Sequence, residues 1–177
     1  MIPLRASALK YSGKWPSNII IHHTAEFVPN VPNFKFDSNK PQSNAYIDYS
    51  FKVLHKTETR YHYILEKIGN DYQIVISQPL FTKCHYEDLD SKYDDSVHVA
   101  CMGNYNLDIP PTRLYKVLSY RLLAPLMRLF YLKDNDILLH KAISNEDITC
   151  PGEFFEMDKL MNQLTSVRKF KSLRRGK

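Results

Sequence analysis

The stretch NIIIHHTA, residues 18–25, restricts the fold more than any other part of the chain. Three successive β-branched residues, Ile19 to Ile21, favour a β-strand. The run is apolar on both faces, which predicts a strand inside a sheet that is covered on both sides. His22 and His23 close the strand, and neighbours on a strand point to opposite faces. Periodicity cannot choose between the two histidines as candidates for a site, because both faces of the run are apolar.

The rest of the chain supplies further strands and helices for such a sheet. Gly69-Asn70 separates two alternating segments and predicts a hairpin. Strands are predicted at 18–23, 61–67, 72–76, 96–101 and 136–139, and helices at 43–56, from Pro110-Pro111 onward with a break at Pro125, and at 153–165. Their expected inward stripes include Leu114, Leu118, Leu122, Leu126 and Leu129 in the long helix, and Phe154, Met157, Leu160 and Leu164 in the last. We therefore expect an α/β fold: a single domain with a central mixed β-sheet flanked by helices on both faces.

Length and charge set the expected organisation of the chain. Its 177 residues fit one domain, which we place at 1–167. The last ten residues, 168–177, form a basic C-terminal tail with six Lys or Arg and no acid. Subtracting these six charges from +5 leaves residues 1–167 at −1. A solvated tail is the plainest interpretation, and contact with an anionic wall polymer or a protein partner is the alternative. With a near-neutral body, nucleic acid is not an expected partner.

The sequence also indicates where the chain is made. No apolar run approaches the roughly 20 residues that span a bilayer, so we expect no membrane span. The N-terminus carries no apolar segment typical of a secretory signal. Three cysteines do not form a paired disulfide framework. We therefore expect synthesis in the cytoplasm without a signal peptide.

Histidines close two of the predicted buried strands, and a cysteine follows the second one. His140 ends the segment DILLH, and Cys150 begins Cys-Pro-Gly ten residues later. Together with a histidine of the first strand, they form a candidate three-ligand zinc set. Three protein ligands leave one position for water, as in catalytic zinc sites. Two other pairs are possible metal ligands, Cys84-His85 and His98-x-x-Cys101. The residues of the second pair are three positions apart on a strand, so they face opposite sides and should not bind the same ion.

Several motifs, taken in order, resemble a known family. NIIIHHTA resembles its first metal-ligand strand, and YHYIL at 61–65 its Tyr-His-aromatic strand. SVHVACMGNYN at 96–106 is similar to its Ser-Ile-Gly-Ile-x-Leu-x-Gly-Asn strand, and ILLH with TCPGEFF to its second histidine and cysteine loop. The family is that of the zinc-dependent N-acetylmuramoyl-L-alanine amidases, which share a fold with peptidoglycan recognition proteins and phage lysozyme-type amidases. The resemblance covers residues 10 to 165.

This resemblance implies specific roles for residues. His22, His140 and Cys150 would be the Zn²⁺ ligands, and His23 would be left to pack or to support them. The Tyr61 hydroxyl would lie beside the metal, where it could steady the attacked carbonyl.

The sequence also departs from the family pattern. A lysine that some members carry two residues before the last ligand is replaced by Ile148, with Thr149 adjacent. An arginine expected after the hairpin is missing, and His98 stands where glycine is usual. Proton transfer would then rest on the zinc hydroxide itself, together with Tyr61 and either His85 or Thr149. Candidate substrate contacts are His23, His85 and His98.

The implied activity is cleavage of the amide between N-acetylmuramic acid and L-alanine in peptidoglycan. A phage endolysin or virion-associated lysin would be made without a signal and reach the wall after release, or within a phage particle. A cytosolic muropeptide-recycling amidase is a further possibility. The alternative functions are a peptidoglycan-binding module of the same fold that does not cleave, or a structural virion component whose 26–42 loop and basic tail dock another protein.

Overall fold

The computed structural model describes residues 13–25 and 60–175, with side chains as far as residue 167. The predicted loop 26–42 and helix 43–56 lie outside the described residues, so those two predictions are not assessed.

Within the described residues, five strands form one mixed sheet in the order β3-β2-β4-β1-β5. Only the β2–β3 hairpin is antiparallel, and the other neighbours run parallel. Each predicted strand in the described part of the chain is found within one or two residues of its expected bounds. The strands are β1 (Ile19–His23), β2 (Tyr63–Ile68), β3 (Asp71–Ile76), β4 (Val97–Cys101) and β5 (Ile137–Leu139).

The first strand lies inside the sheet, between β4 and β5, as its doubly apolar pattern predicts. Ile19, Ile20 and Ile21 are all fully buried. Burying three such side chains stabilises the fold by about 1.5–3 kcal/mol each. Since β1 and β5 are parallel neighbours, their carboxyl ends meet at one edge of the sheet.

The helix after Pro111 is not uniform. It comprises α1 (Thr112–Val117), a π-helical segment (Leu118–Leu123) and α2 (Ala124–Phe130). The break predicted at Pro125 is not found: the backbone stays helical through this point, and the proline stands in the first turn of α2, directly after the π-helical segment. Leu129 was wrongly predicted to face inward, and its side chain is 51% exposed. A π turn takes more residues than an α turn, so the buried stripe passes to Phe130 instead.

The last helix, α3, spans Met157–Arg175 and so begins later and ends later than predicted. Phe154 was predicted to face inward as part of this helix, but it precedes the first turn. Its side chain is 42% exposed, and the neighbouring Phe155 is buried instead. The helix passes residue 167 without interruption, so the backbone of most of the basic segment is helical. The proposed division at residue 167 stays a prediction. No helix within 13–25 or 60–175 has the length and apolar character to cross a membrane.

The two faces of the sheet are covered differently in the described ranges. Ile19, Ile21, Val97 and Val99 pack in one cluster with residues of all three helices. The opposite face is covered by the loop segment 84–93, which ends in a 3-10 turn at Ser91–Tyr93. The expectation of helices on both faces therefore holds for one face only within this part of the chain. The face under segment 84–93 carries the polar residues described next.

Candidate metal centre

Three predicted ligands meet at the carboxyl edge of the sheet. His22 ends β1, His140 directly follows β5, and Cys150 lies on the next loop. One donor atom from each lies within 4.8 Å of the others. His22 and His140 are 1% and 7% exposed, and Cys150 is half-buried. Adjacent parallel strands bring the histidines together although 118 positions separate them in sequence.

The spacing of this cluster suits a zinc ion. His22 Nδ1 lies 3.7 Å from Cys150 Sγ. Ligand bonds of about 2.0 and 2.3 Å at tetrahedral angles would put such atoms about 3.5 Å apart. The ring centroids of His22 and His140 are 4.5 Å apart. Two imidazoles and one thiol are donors that Zn²⁺ prefers, and three of them leave a fourth position open. The residues present therefore fit the metal.

Lys141 closes the long interval between His140 and Cys150. Its backbone N–H donates to the Cys150 carbonyl at 2.7 Å. Its ammonium Nζ donates to the Gly152 carbonyl at 3.0 Å. These two bonds return the loop to the strand end, so the cysteine lies near the histidines although ten residues separate it from His140. Burial raises the pKa of Cys150 to about 11, so binding a metal there would displace a proton.

The loop after Cys150 also packs tightly on the segment that follows β4. Gly152 adopts φ +117°, and a Cβ there would lie 2.6 Å from the Tyr105 carbonyl oxygen. The Phe154 N–H donates to that same carbonyl oxygen at 3.0 Å, and the Glu153 N–H donates to Asn106 Oδ1 at 3.0 Å. Only glycine allows this close approach with that backbone conformation.

The other ring nitrogen of His22 has its own buried partner. His22 Nε2 lies 3.0 Å from His98 Nδ1, and His98 Nε2 lies 3.4 Å from the Tyr93 carbonyl oxygen. Burial lowers the pKa of His22 and of His98 well below the usual range. For His22 the nearby His98 and His140 add to this effect. Both rings are therefore neutral near pH 7.

His140 is supported from the covering loop. Its Nε2 lies 2.8 Å from Asp88 Oδ2. Asp88 also accepts a 2.7 Å bond from the Ser144 hydroxyl and, through its carbonyl, a 2.8 Å bond from the Asn145 N–H. Burial lowers the pKa of His140, and the Asp88 carboxylate opposes that shift.

Tyr61 and Thr149 lie next to the donor cluster. The Tyr61 ring is 5.4 Å from that of His22, and its hydroxyl donates to the His23 carbonyl at 3.4 Å. Thr149 is exposed and directly precedes Cys150.

The remaining candidates occupy different surroundings. His23 lies on the helix-covered face, where its Nδ1 accepts a 3.2 Å bond from the Tyr105 N–H. Burial, with His140 and Lys141, lowers the pKa of His23 to about 4. His85 is exposed and pairs with Asp94 at 3.1 Å. His98 is fully buried, and its ring contacts include His22.

The two alternative metal pairs do not converge. Cys101 faces the helices while His98 faces the opposite side, as strand alternation predicts. Cys84 is buried beside the His62 ring, whereas the adjacent His85 is exposed.

The sequence analysis did not identify Asp88 or Lys141 as part of the site. The one sequence feature that could have indicated Lys141 is its position directly after a predicted ligand.

Comparison with known proteins identifies the family. The sequence profile of the N-acetylmuramoyl-L-alanine amidases matches residues 12–153. No curated protein sequence matches the chain.

Solved structures share the fold at low sequence identity. The endolysin of Thermus scotoductus bacteriophage Ph2119 is 20% identical with a TM-score of 0.61, covering 89% of this chain and 90% of that one. The amidase LysC of Clostridium intestinale is 18% identical with a TM-score of 0.61, covering 89% and 96%. Drosophila peptidoglycan recognition protein SD is 17% identical with a TM-score of 0.60, covering 84% and 81%.

Proposed function

The chain belongs to the N-acetylmuramoyl-L-alanine amidase family, and we propose that it is a zinc-dependent enzyme that cleaves the amide between N-acetylmuramic acid and L-alanine in peptidoglycan. The observation that carries this proposal is the convergence of His22, His140 and Cys150, with one donor atom of each within 4.8 Å of the others. Family members that only bind peptidoglycan have no need of such a set. Cys150 is also half-buried, so solvent reaches this side of the cluster.

The chain's own residues divide the work of hydrolysis. A bound zinc ion would supply a Lewis acid for the scissile carbonyl and lower the pKa of water. His22, His140 and Cys150 would hold the ion. Tyr61, whose ring lies 5.4 Å from that of His22, would donate to the oxygen that becomes negative during attack. Thr149, exposed beside Cys150, is the second candidate for guiding a proton to the leaving amine.

Analysis of the bonds cleaved tests this proposal. Purified protein incubated with peptidoglycan sacculi should release new L-alanine amino termini and no new reducing sugar ends. Cys150→Ala should abolish the release, while Cys101→Ala, which changes a buried cysteine on the other face of the sheet, should retain it. Reducing ends without new amino termini would instead identify a glycosidase and refute the proposal.

A second candidate function is peptidoglycan binding without cleavage, or a structural role in a virion. It is favoured by the shared fold with Drosophila peptidoglycan recognition protein SD and by Ile148, which cannot carry the charge that lysine has there in some relatives. Metal analysis separates the two. Protein that sediments with sacculi but holds no zinc and releases no amino termini would support binding alone.

We also propose that the enzyme acts as an endolysin or virion-associated lysin on the bacterial wall. The shared fold with the bacteriophage Ph2119 endolysin is consistent with this role. The basic segment 168–177 would then hold the enzyme on anionic wall polymer. Comparing intact sacculi with soluble muropeptides tests the role: a wall lysin should prefer sacculi, and a muropeptide-recycling amidase should prefer the soluble fragments.

A further inference from the structure

We propose that His98 is a positioning residue that fixes the proton of His22 on Nε2, so that Nδ1 presents its lone pair to the metal. The inference rests on the proposed zinc site, and it concerns a residue that replaces the glycine usual in the family. Nothing in the sequence motif indicates such a role, because the motif is satisfied by a residue without a side chain.

The strand register brings the two imidazoles together. Strands β1 and β4 are parallel neighbours in which Ile20 pairs with His98 and His22 pairs with Ala100. His22 and His98 are therefore two positions out of step on the same face of the sheet, within reach of each other for long side chains. Their nitrogens, His22 Nε2 and His98 Nδ1, are 3.0 Å apart, and both side chains are buried.

The contact between His98 Nε2 and the Tyr93 carbonyl determines which ring nitrogens of His98 and His22 carry protons. A backbone carbonyl can only accept a hydrogen bond, so His98 Nε2 must carry the proton that it directs at the Tyr93 carbonyl oxygen, 3.4 Å away. In a neutral ring the other nitrogen, Nδ1, is then a bare acceptor. His22 Nε2 must therefore donate to it. The remaining nitrogen, His22 Nδ1, is left with a free lone pair 3.7 Å from Cys150 Sγ, as a metal ligand requires.

The His98 ring is itself held in place. Tyr86 stacks on it with ring centroids 4.8 Å apart and an interplanar angle of 12°. The backbone of His98 is bonded in both directions to His62: its N–H donates to His62 Nδ1 at 2.9 Å, and its carbonyl accepts from the His62 N–H at 2.9 Å. The ring is therefore held with Nδ1 towards His22 and Nε2 towards the Tyr93 carbonyl.

The tautomer of His22 in the metal-free protein tests the inference directly. Histidine side-chain nitrogen NMR should show His22 Nε2 protonated and Nδ1 bare before any metal is added. A His22 ring protonated on Nδ1, or exchanging between both forms, would overturn the proposal. This measurement needs no variant and does not depend on activity.

Two substitutions at the same position supply the matched comparison. His98→Asn places an amide oxygen near the position of Nδ1, so it should keep zinc affinity within about threefold of wild type. His98→Leu removes the acceptor and should weaken zinc binding about 10- to 100-fold, as loss of a ligand's hydrogen-bond partner typically does. Val99→Ala, on the same strand but the opposite face, controls for simple loss of packing. Affinity is measured by competition with a chelator of known zinc affinity.

The outcomes separate this inference from the proposed function. Equal zinc affinity of His98→Leu and His98→Asn, whether retained or lost together, would contradict the positioning role. A comparable loss in Val99→Ala would also contradict it, because the effect would then follow stability rather than the hydrogen bond. Wild-type protein that binds no zinc at all would refute the proposed metal site, while the nitrogen spectrum would still report on the His22 tautomer.

Discussion

His22 and His23 are neighbours in sequence, but their side chains lie on opposite faces of the sheet. His22 faces the donor cluster, and His23 packs with Tyr105 under the helices. We expect His22→Ala to lose zinc and amidase activity. His23→Ala should keep most of its zinc and lose about 1–3 kcal/mol of stability, because the Tyr105 N–H would remain buried without an acceptor.

Zinc content by atomic emission and urea denaturation of both variants check this asymmetry. The reverse pattern, with zinc lost in His23→Ala and kept in His22→Ala, would show that the ligand is the other histidine.

Tyr61 contributes a single hydroxyl to the proposed reaction. Tyr61→Phe should lower kcat about 100-fold, which is typical of removing one donor aimed at a developing oxyanion. Its zinc content and its binding to sacculi should match those of the wild type, because the ring contact with His22 is preserved. An unchanged kcat would remove Tyr61 from the mechanism.

The conformation of the loop 149–155 requires glycine at position 152. Gly152→Ala combines an unfavourable φ of +117° with overlap onto the Tyr105 backbone. We expect it to destabilise the protein by more than 2 kcal/mol, as a rough estimate from the strain and overlap together, and to weaken zinc binding because Cys150 is two residues away.

Gly69→Ala is the matched control for this substitution. Gly69 also has a positive φ, +56°, but a Cβ there meets nothing within 4 Å. It should cost only about 1 kcal/mol and leave zinc affinity unchanged. Equal losses of stability and zinc affinity in both variants would contradict the account of the loop. Thermal unfolding and chelator competition measure the two quantities.

Some of the secondary-structure elements could be predicted from the sequence, and others could not. Buried strands such as β1 and β5 are predictable because apolar runs and strand ends are local signals, and these strands alone place His22 and His140 at one edge. The π-helical segment was not predictable, so Leu129 was assigned to the wrong face. Lys141 and Asp88 act through long-range contacts with loops, for which neither periodicity nor spacing gives a signal.

At the scale of the whole molecule, the sheet buries several neutral imidazoles. His62 is fully buried, and desolvation lowers its pKa to about 4, although its bond to the Thr82 carbonyl opposes that shift. In the unfolded chain the pKa of His62 is near 6.5. Between pH 6.5 and pH 4, His62 therefore binds a proton in the unfolded chain but not in the folded protein. The free energy of unfolding should therefore be highest above pH 6.5 and fall as the pH is lowered through this interval.

Denaturation of metal-free protein at pH 7 and pH 4.5 checks this dependence. His62 alone should account for about 2.5 kcal/mol of the loss, so His62→Gln should lose less stability between the two pH values than wild type by about that amount. Identical losses in the two proteins would show that His62 does not titrate differently in the folded and unfolded states.

We propose that a zinc ion held by His22, His140 and Cys150 makes this chain a peptidoglycan amidase. The most direct measurement is the release of L-alanine amino termini from sacculi while zinc is added back to protein stripped with EDTA. Activity should be absent in the stripped protein, rise in proportion to bound zinc and saturate at about one ion per chain. Full activity in stripped protein, or in Cys150→Ala, would contradict the claim.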